Sequence, residues 1–368
     1  MLTRELKLKL TKKQENILDG WLWNLTGVFN WAIRKIELNA KDKIYFSFYD
    51  LVNLIPNHSK KLGIPSHTLQ GMVEQGHLAW KRCFKKLAKR PKLKSTHNKL
   101  RSIPFPDPIS STKIKENKIA LPGIGKLRFH KQELPKGKIK TGRIVKKASG
   151  WYLQLTFYTK HVFPVKDTSA SVGIDTGFKT LATLSNKEEI PNHRYYIQGQ
   201  KRLAQAQRGK NKKLAARLHE RISNRRKDHN HKVSRKIVQN FSEIFITNDN
   251  LRGQIKLFGK SVNDAGISQL RQFISYKSEN HGRKFGLVTS KNTTRTCFKC
   301  WALTGPAGVK QLAVREWKCS NCRFVHQRDI NSAEGILILG SGIDLVPDVI
   351  LGLNRNLTSL KEYGLCRT

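Results

Sequence analysis

Four cysteines in two pairs constrain this chain more tightly than any other feature. Cys297-Phe-Lys-Cys300 and Cys319-Ser-Asn-Cys322 are separated by 18 residues, a spacing that belongs to zinc ribbons. Two such knuckles set four thiolates tetrahedrally around one ion and leave no open position for a substrate. The expected role of the zinc is therefore structural, with a short hairpin such as Leu312–Lys318 filling the space between the knuckles. Arg295, Lys299, Arg315, Lys318 and Arg323 would make this small module basic. Cys83 and Cys366 stand alone and read as plain thiols. Six cysteines are few for a disulfide-stapled secreted protein of this size, so paired motifs point to metal in a reducing compartment.

Charge narrows the partner. The chain of 368 residues holds 70 Lys+Arg against 26 Asp+Glu, a formal net charge of +44. Such a surplus repels itself unless it meets a polyanion, and nucleic acid is the first candidate. A membrane surface is the second, but no run of about 18–20 apolar residues is present. The opening Met-Leu-Thr-Arg-Glu-Leu-Lys lacks a signal-peptide core. The expectation is a cytosolic protein (prokaryotic cytosol or nucleoid) with no membrane partner. With 38% hydrophobic residues the chain can still bury a core, and its length predicts several domains.

The texture changes along the chain. Residues 3–10 alternate with period two and predict a strand; Thr11 then caps a helix with Ile17, Leu18, Trp21, Leu22, Leu25, Val28, Phe29 and Ile33 at helical spacing. Trp21, Trp23 and Trp31 read as core packing. Residues 66–90 are a second helical stretch ending in a basic run. From 91 to 165, prolines and glycines punctuate the alternating runs Lys118–Leu121, Gly125–Phe129, Gly142–Val145 and Trp151–Tyr158, which predicts an antiparallel barrel or meander. Residues 51–150 hold 24 Lys+Arg and only 4 Asp+Glu, suited to tracking phosphates.

After a short polar linker at 168–171, strands alternate with helices, the pattern of an α/β core. Strands are expected at Ser171–Asp175, after the Gly177 turn, at Glu243–Thr247 and at Lys284–Thr289. Helices are expected over 197–240, around 262–282 and from near Asp329. Between 201 and 236 lie 14 Lys+Arg, and Lys201, Arg202, Arg208, Lys210, Lys212 and Lys213, together with Arg295, are candidates for phosphate contact; a solvated helix face reads equally well for each.

Two aspartates carry the candidate chemistry. Asp175 ends an apolar strand, where it is either a turn former or a metal ligand. Asp329 opens a helix, where it is either an N-cap or a ligand. Together they supply two of the three or four converging carboxylates that a two-metal nuclease requires.

At this point the motifs resemble the transposon-encoded TnpB family of RNA-guided proteins related to type V CRISPR effectors. The matching blocks are Leu8-Lys-Leu-Thr-Lys-Lys-Gln14 with Asn30-Trp31-Ala32, Gly173-Ile-Asp-Thr-Gly-Phe-Lys179, Lys260-Ser-Val-Asn-Asp-Ala-Gly266, Tyr276-Lys277, Asn292-Thr-Thr-Arg-Thr-Cys297, Val314-Arg-Glu-Trp-Lys-Cys319 and Arg328-Asp-Ile-Asn-Ser-Ala333. The resemblance implies an α/β plus β-barrel, multidomain architecture. A wedge-type β-barrel would be split over 1–10 and 91–168, with a helical recognition insertion at 11–90. A RuvC-like RNase H fold would cover 169–294 and 323–340, with a zinc ribbon inserted at 295–322 and a C-terminal tail at 341–368. It also implies a guide RNA and a double-stranded DNA target as partners, base pairing supplying the sequence specificity.

The chain departs from the family where the chemistry is most demanding. Active members carry a glutamate between the two aspartates. Thr247 stands where the second RuvC strand would carry it, and Ser290 where one branch of the family carries it instead; Gln327 replaces a further acidic residue common in that branch. Hydroxyls are poor ligands for a hard divalent cation. The chain therefore most resembles the nuclease-dead TnpB-like repressors, binding a guide-matched target without cutting it. The alternative is an active, Mg-dependent RNA-guided double-strand DNA endonuclease with the carboxylate relocated to Glu243, Asp249 or Glu279.

Overall fold

The computed structural model describes residues 1–95, 99–158, 165–249, 251–308, 311 and 313–342. The expected C-terminal tail lies outside the described residues from 343 onward, as do Cys366 and Leu312. The chain divides into two compact units, Met1–His161 and Val162–Thr368. No helix among the described residues is long and apolar enough to cross a membrane.

The first unit opens with strand β1 (Leu2–Lys9) and helix α1 (Lys12–Lys41). Their junction is a capping box: Gln14 N–H donates to Thr11 Oγ1 at 3.3 Å and Thr11 N–H donates to Gln14 Oε1 at 3.1 Å. The apolar spacing buries one stripe of α1, from Leu18 and Trp21 through Leu25, Phe29 and Ile33 to Ile36. Trp21 is in the core and Trp31 packs against it, but Trp23 is 70% exposed. Two residues advance the helix by about 200°, so a tryptophan at 23 faces away from one at 21. Short helices α2 (Phe48–Asn53) and α3 (His58–Leu62) lead to α4 (Ser66–Phe84), whose Trp80 indole donates to the Ile33 carbonyl at 3.0 Å.

Strands β2 (Ser102–Phe105), β3 (Ile114–Lys115), β4 (Lys118–Leu121), β5 (Gly125–Phe129), β6 (Lys138–Lys147) and β7 (Gly150–Tyr158) complete the unit. With β1 they form an antiparallel sheet of order β2-β6-β7-β1-β5-β4-β3. The expected barrel is not found: among the described residues no pairing joins the edge strands β2 and β3. The reason lies in β1. Leu2–Lys7 pair with β7, whereas only Leu8 and Lys9 pair with β5. The sheet turns a corner there, and the two-residue β3 is too short to carry a closing ladder. One core joins the sheet to α1 and α4.

The second unit centres on a sheet of order β10-β9-β8-β11-β12. Strands β8 (Ser171–Thr176), β9 (Thr180–Leu184) and β10 (Glu189–Pro191) form an antiparallel meander. Helices α5 (Tyr195–Arg208) and α6 (Lys212–Asn240) then carry the chain to β11 (Glu243–Thr247), which pairs parallel with β8. The expected helix around 262–282 is two helices, α7 (Leu251–Ala265) and α8 (Ile267–Asn280), broken at Gly266 in the left-handed conformation (φ 66°). Strand β12 (Lys284–Val288) returns parallel to β11. A small hairpin of β13 (Glu316–Lys318) and β14 (Val325–Gln327) precedes helix α9 (Arg328–Ser341). The hairpin thus straddles the second cysteine knuckle rather than filling the stretch before it.

Helix α9 lies directly on the sheet at β8 and β11. Gly173 permits this, since a Cβ there would stand 2.1 Å from the Ala333 carbonyl oxygen and 2.5 Å from the Leu337 nitrogen. The glycine of the Gly173-Ile-Asp motif is therefore a contact residue: it seats α9 where Asp175 on β8 and Asp329 in the first turn of α9 come together.

Candidate functional site

The four cysteines form one cluster, with all four sulfurs within 4.8 Å of one another. Cys297 Sγ lies 3.6 Å from Cys322 Sγ, and Cys300 Sγ 3.6 Å from Cys319 Sγ. A tetrahedron with Zn–S of about 2.3 Å has edges of about 3.8 Å, so the quartet has the dimensions of a structural zinc site. Cys297 and Cys319 are buried and Cys322 is exposed. Burial drives the Cys297 thiol up to about 12. Burial also opposes ionisation of Cys319, but hydrogen bonds from Thr304 and from the Cys322 and Asn321 backbone bring it down to about 6. Thiols this close cannot all carry charge without a cation among them. His326 is buried, with Nε2 2.9 Å from Cys297 Sγ and its ring stacked on Trp317 at 4.7 Å.

The carboxylates meet at the carboxyl ends of the parallel strands. Asp175 sits at the end of β8, half-buried, and its carboxyl is pushed up to about 8. Burial is the first cause, followed by the charges of Asp249 and Asp329; a hydrogen bond from Ser332 and the Arg328 guanidinium pull the other way. Asp249 follows β11 by two residues and lies 3.5 Å from the Thr176 hydroxyl. Asp329 is not the cap of α9, since the helix starts at Arg328 and Gln327 occupies the N-cap; it sits in the first turn, where the helix dipole favours a carboxylate.

Thr247 and Ser290, expected from the sequence at the glutamate positions, both carry neutral hydroxyls. Thr247 is fully buried, with its hydroxyl 2.8 Å from that of Thr176. Ser290 is half-buried beyond the end of β12, and its carbonyl accepts from the Thr293 hydroxyl at 3.0 Å. Of the three carboxylates weighed as replacements, only Asp249 lies beside Asp175. Glu243 begins β11, held by Ser171 at 3.1 Å and Lys284 at 3.0 Å, four residues and about 13 Å along the strand from Thr247. Glu279 is exposed near the far end of α8.

Two arginines occupy this cluster that sequence reasoning gave no role here. Arg271 of α8 reaches Asp249 Oδ2 at 3.3 Å, and Arg315, just before β13, reaches Asp329 Oδ2 at 3.0 Å. The carboxylates do not fit a divalent-metal site: among the described residues, the cysteine quartet is the one His/Cys/Asp/Glu group gathered closely enough to hold an ion. A buried polar network also went unread. Ser332 Oγ donates to Thr293 Oγ1 at 3.0 Å, while Asn331 accepts from the Phe298 N–H and donates to the Thr296 carbonyl. This network ties the first knuckle to α9 beside Asp175. The hydroxyls and amide of the Asn292–Thr296 and Asp329–Ser332 blocks were its sequence signal.

The basic candidates are surface residues. Lys201, Arg202 and Arg208 on α5, Lys210 in the connection, Lys212 and Lys213 at the start of α6, and Arg295 before the first knuckle are all exposed.

Fold and site together define a class: a strongly basic protein in which a mixed α/β sheet carries a carboxylate cluster beside a four-cysteine, zinc-type module. Comparison with known proteins refines it. Residues 157–255 match the family model described as "Probable transposase", the IS605 OrfB type, and residues 268–336 match "Cas12f1-like, TNB domain". A Streptomyces pristinaespiralis protein named "Putative RNA-guided DNA endonuclease" is 32% identical over 209 residues, covering 53% of this chain and 51% of that protein. The chain therefore spans about half the length of that curated relative. "Putative RNA-guided DNA endonuclease InsQ" of Escherichia coli K12 is 25% identical over 309 residues, covering 76% of this chain and 75% of that protein. Among solved structures, the Cas12f1-sgRNA-target DNA complex aligns with a TM-score of 0.38 at 18% identity, covering 92% of this chain and 99% of that one. The matches support the TnpB/IS605 OrfB family, related to Cas12f.

Proposed function

We propose that this chain is an RNA-guided DNA-binding protein of the TnpB type whose RuvC-like centre no longer cuts, and that it represses transcription by occupying a guide-matched target. In this reading residues 169–294 and 323–340 are an RNase H-like domain, 295–322 its zinc ribbon, 1–10 and 91–168 the wedge region, and 11–90 the recognition insertion. The observation that supports the reading is Thr247: fully buried and hydrogen-bonded to Thr176, it puts a hydroxyl at one of the two positions, with Ser290, where the family resemblance expects a metal-holding carboxylate. Without a divalent ion to polarise the phosphate and generate hydroxide, no hydrolysis is expected. The guide–target heteroduplex would be held through its backbone and shape by basic surfaces, with Lys201, Arg202, Arg208, Lys210, Lys212, Lys213 and Arg295 as phosphate contacts.

One observation favours a second reading, a Mg-dependent endonuclease. The charges of Asp249 and Asp329 both reach Asp175, so a local shift of these side chains would gather three carboxylates, with Asp249 as the relocated member. The test is to purify the protein with its co-expressed RNA, sequence that RNA, and follow binding and Mg²⁺-dependent cleavage of the matching duplex in one reaction. Tight guide-dependent binding without cleavage, unchanged in Asp175→Ala, is the expected result. Cleavage that Asp175→Ala abolishes would replace it with the endonuclease.

A further inference from the structure

We propose that Arg271 and Arg315 are built-in counter-ions that hold the carboxylate cluster in place of divalent cations, so that the centre is closed to metal and target binding is metal-independent. The inference deepens the non-cleaving reading and rests on it. Each arginine comes from a different element and each takes one carboxylate. The Arg271–Asp249 pair is nearly sealed, the two side chains being 12% and 11% exposed. Arg271 donates through Nη2 to the Asp249 carboxylate at 3.3 Å and through Nη1 to the Asp249 carbonyl at 3.4 Å, while its Nε is buried without a partner. Among the described residues all its polar contacts end on Asp249, so a cation taking the Asp249 carboxylate would break a nearly buried ion pair and leave its guanidinium under-compensated, which is strongly unfavourable.

The second pair is more open and is fixed by the hairpin. Arg315 Nη1 lies 3.0 Å and 3.4 Å from the two Asp329 oxygens, the side chains being 44% and 30% exposed. Its backbone carbonyl accepts from the Arg328 N–H at 2.7 Å, and the next residue, Glu316, opens the β13–β14 ladder opposite Gln327. The zinc-type module therefore positions the cation that faces Asp329. Two of the three aspartates are thus paired directly with arginines, while the Arg328 side chain donates to the Gln311 carbonyl at 3.1 Å. A pair of divalent ions needs carboxylate oxygens that converge on a shared point rather than oxygens engaged singly by guanidinium groups.

The test uses the RNA-free full chain and Mn²⁺ as the probe, read by the free-Mn²⁺ electron paramagnetic resonance signal and by thermal unfolding. The native chain is expected to show no Asp175-dependent Mn²⁺ binding and no Mn²⁺-dependent rise in Tm. Arg315→Gln, chosen because its pair is exposed enough to be lost without unfolding the unit, should bind Mn²⁺ about tenfold more tightly, and adding Asp175→Asn should remove the gain. Mn²⁺ binding by the native chain that Asp175→Asn abolishes, or no gain in Arg315→Gln, would overturn the proposal. Parallel Mg²⁺ reactions with the guide-loaded native protein separate the two claims. Asp175-dependent Mn²⁺ binding without cleavage would defeat the counter-ions alone, whereas cleavage would defeat the non-cleaving reading with them. Guide-dependent duplex affinity should be equal with and without Mg²⁺; a tenfold loss on omitting Mg²⁺ would also overturn the proposal.

Discussion

The second unit gathers ionisable side chains twice, by opposite means. The cysteine quartet draws its ligands from two knuckles of four residues each, and its geometry is that of an ion's coordination shell. The aspartate cluster draws its members from β8, the segment after β11 and the start of α9, and its charges are matched by protein cations. The first can be satisfied only by something from outside the chain. The second is satisfied from within. Proximity of ligating residues therefore says little about metal until the counter-charge has been located.

Breaking the quartet should have the largest effect. Cys319→Ser is expected to reduce bound zinc from one ion to none per chain, measured by atomic emission. It should also open the module to proteolysis, since structural zinc contributes about 10–16 kcal/mol to folding in isolated fingers. Gly173→Ala attacks the frame of the other cluster: its Cβ would meet the α9 backbone. A stability loss of about 3 kcal/mol is expected in urea unfolding, because neither backbone can yield as a side chain would. A smaller change sharpens the contrast. Thr247→Glu should cost about 2 kcal/mol in metal-free buffer by burying a further acid, and with Arg271 and Arg315 in place Mg²⁺ should return none of that loss. A return would mean that the added carboxylate outweighs the arginines.

The pH dependence sharpens the comparison further, because two groups have opposite signs. Folded Asp175, moved from 3.8 to about 8, retains a proton that the unfolded chain releases. Its contribution to stability therefore falls as the pH rises across that window, and Asp175→Asn should flatten the decline. His231, stacked on Phe273 at 3.9 Å, is pushed from 6.5 down to about 4 by burial and then by Lys277 and Lys227, with Asp228 opposing. It stays neutral where the unfolded chain would be protonated. Its contribution is complete above pH 6.5 and is lost as the pH falls toward about 4. His231→Phe should remove that rising limb and leave the decline assigned to Asp175, as followed by Tm against pH.

The quartet was legible in the sequence because its ligands sit three residues apart in each knuckle, and short-range geometry follows from short-range spacing. The strand bearing Thr247 was legible for a similar reason: Glu243–Thr247 is a buried β-run with clear ends. The aspartates were named, but their company was not. Asp249 reaches Asp175 only because β8 and β11 are parallel neighbours, a fact of topology. Arg271 carried no signal, and Arg315, though named in the basic module and in the Val314–Cys319 block, carried none for Asp329, since in a chain with 70 lysines and arginines one more positive charge is not informative. The barrel was overcalled because alternation reports which residues face the core, not whether two edge strands meet.

The seating of α9 on Gly173 has an evolutionary consequence. The frame that brings β8, β11 and α9 together is held by backbone contact and by the apolar packing of Phe245, Val288 and Ile336, none of which depends on the acids at the strand ends. Residues at those ends can be exchanged while the scaffold keeps its shape, so catalytic chemistry and architecture drift separately. A lineage released from selection for cutting would lose its acids first and its glycine last. The order of loss, rather than any single absence, would record what such a chain had been kept for.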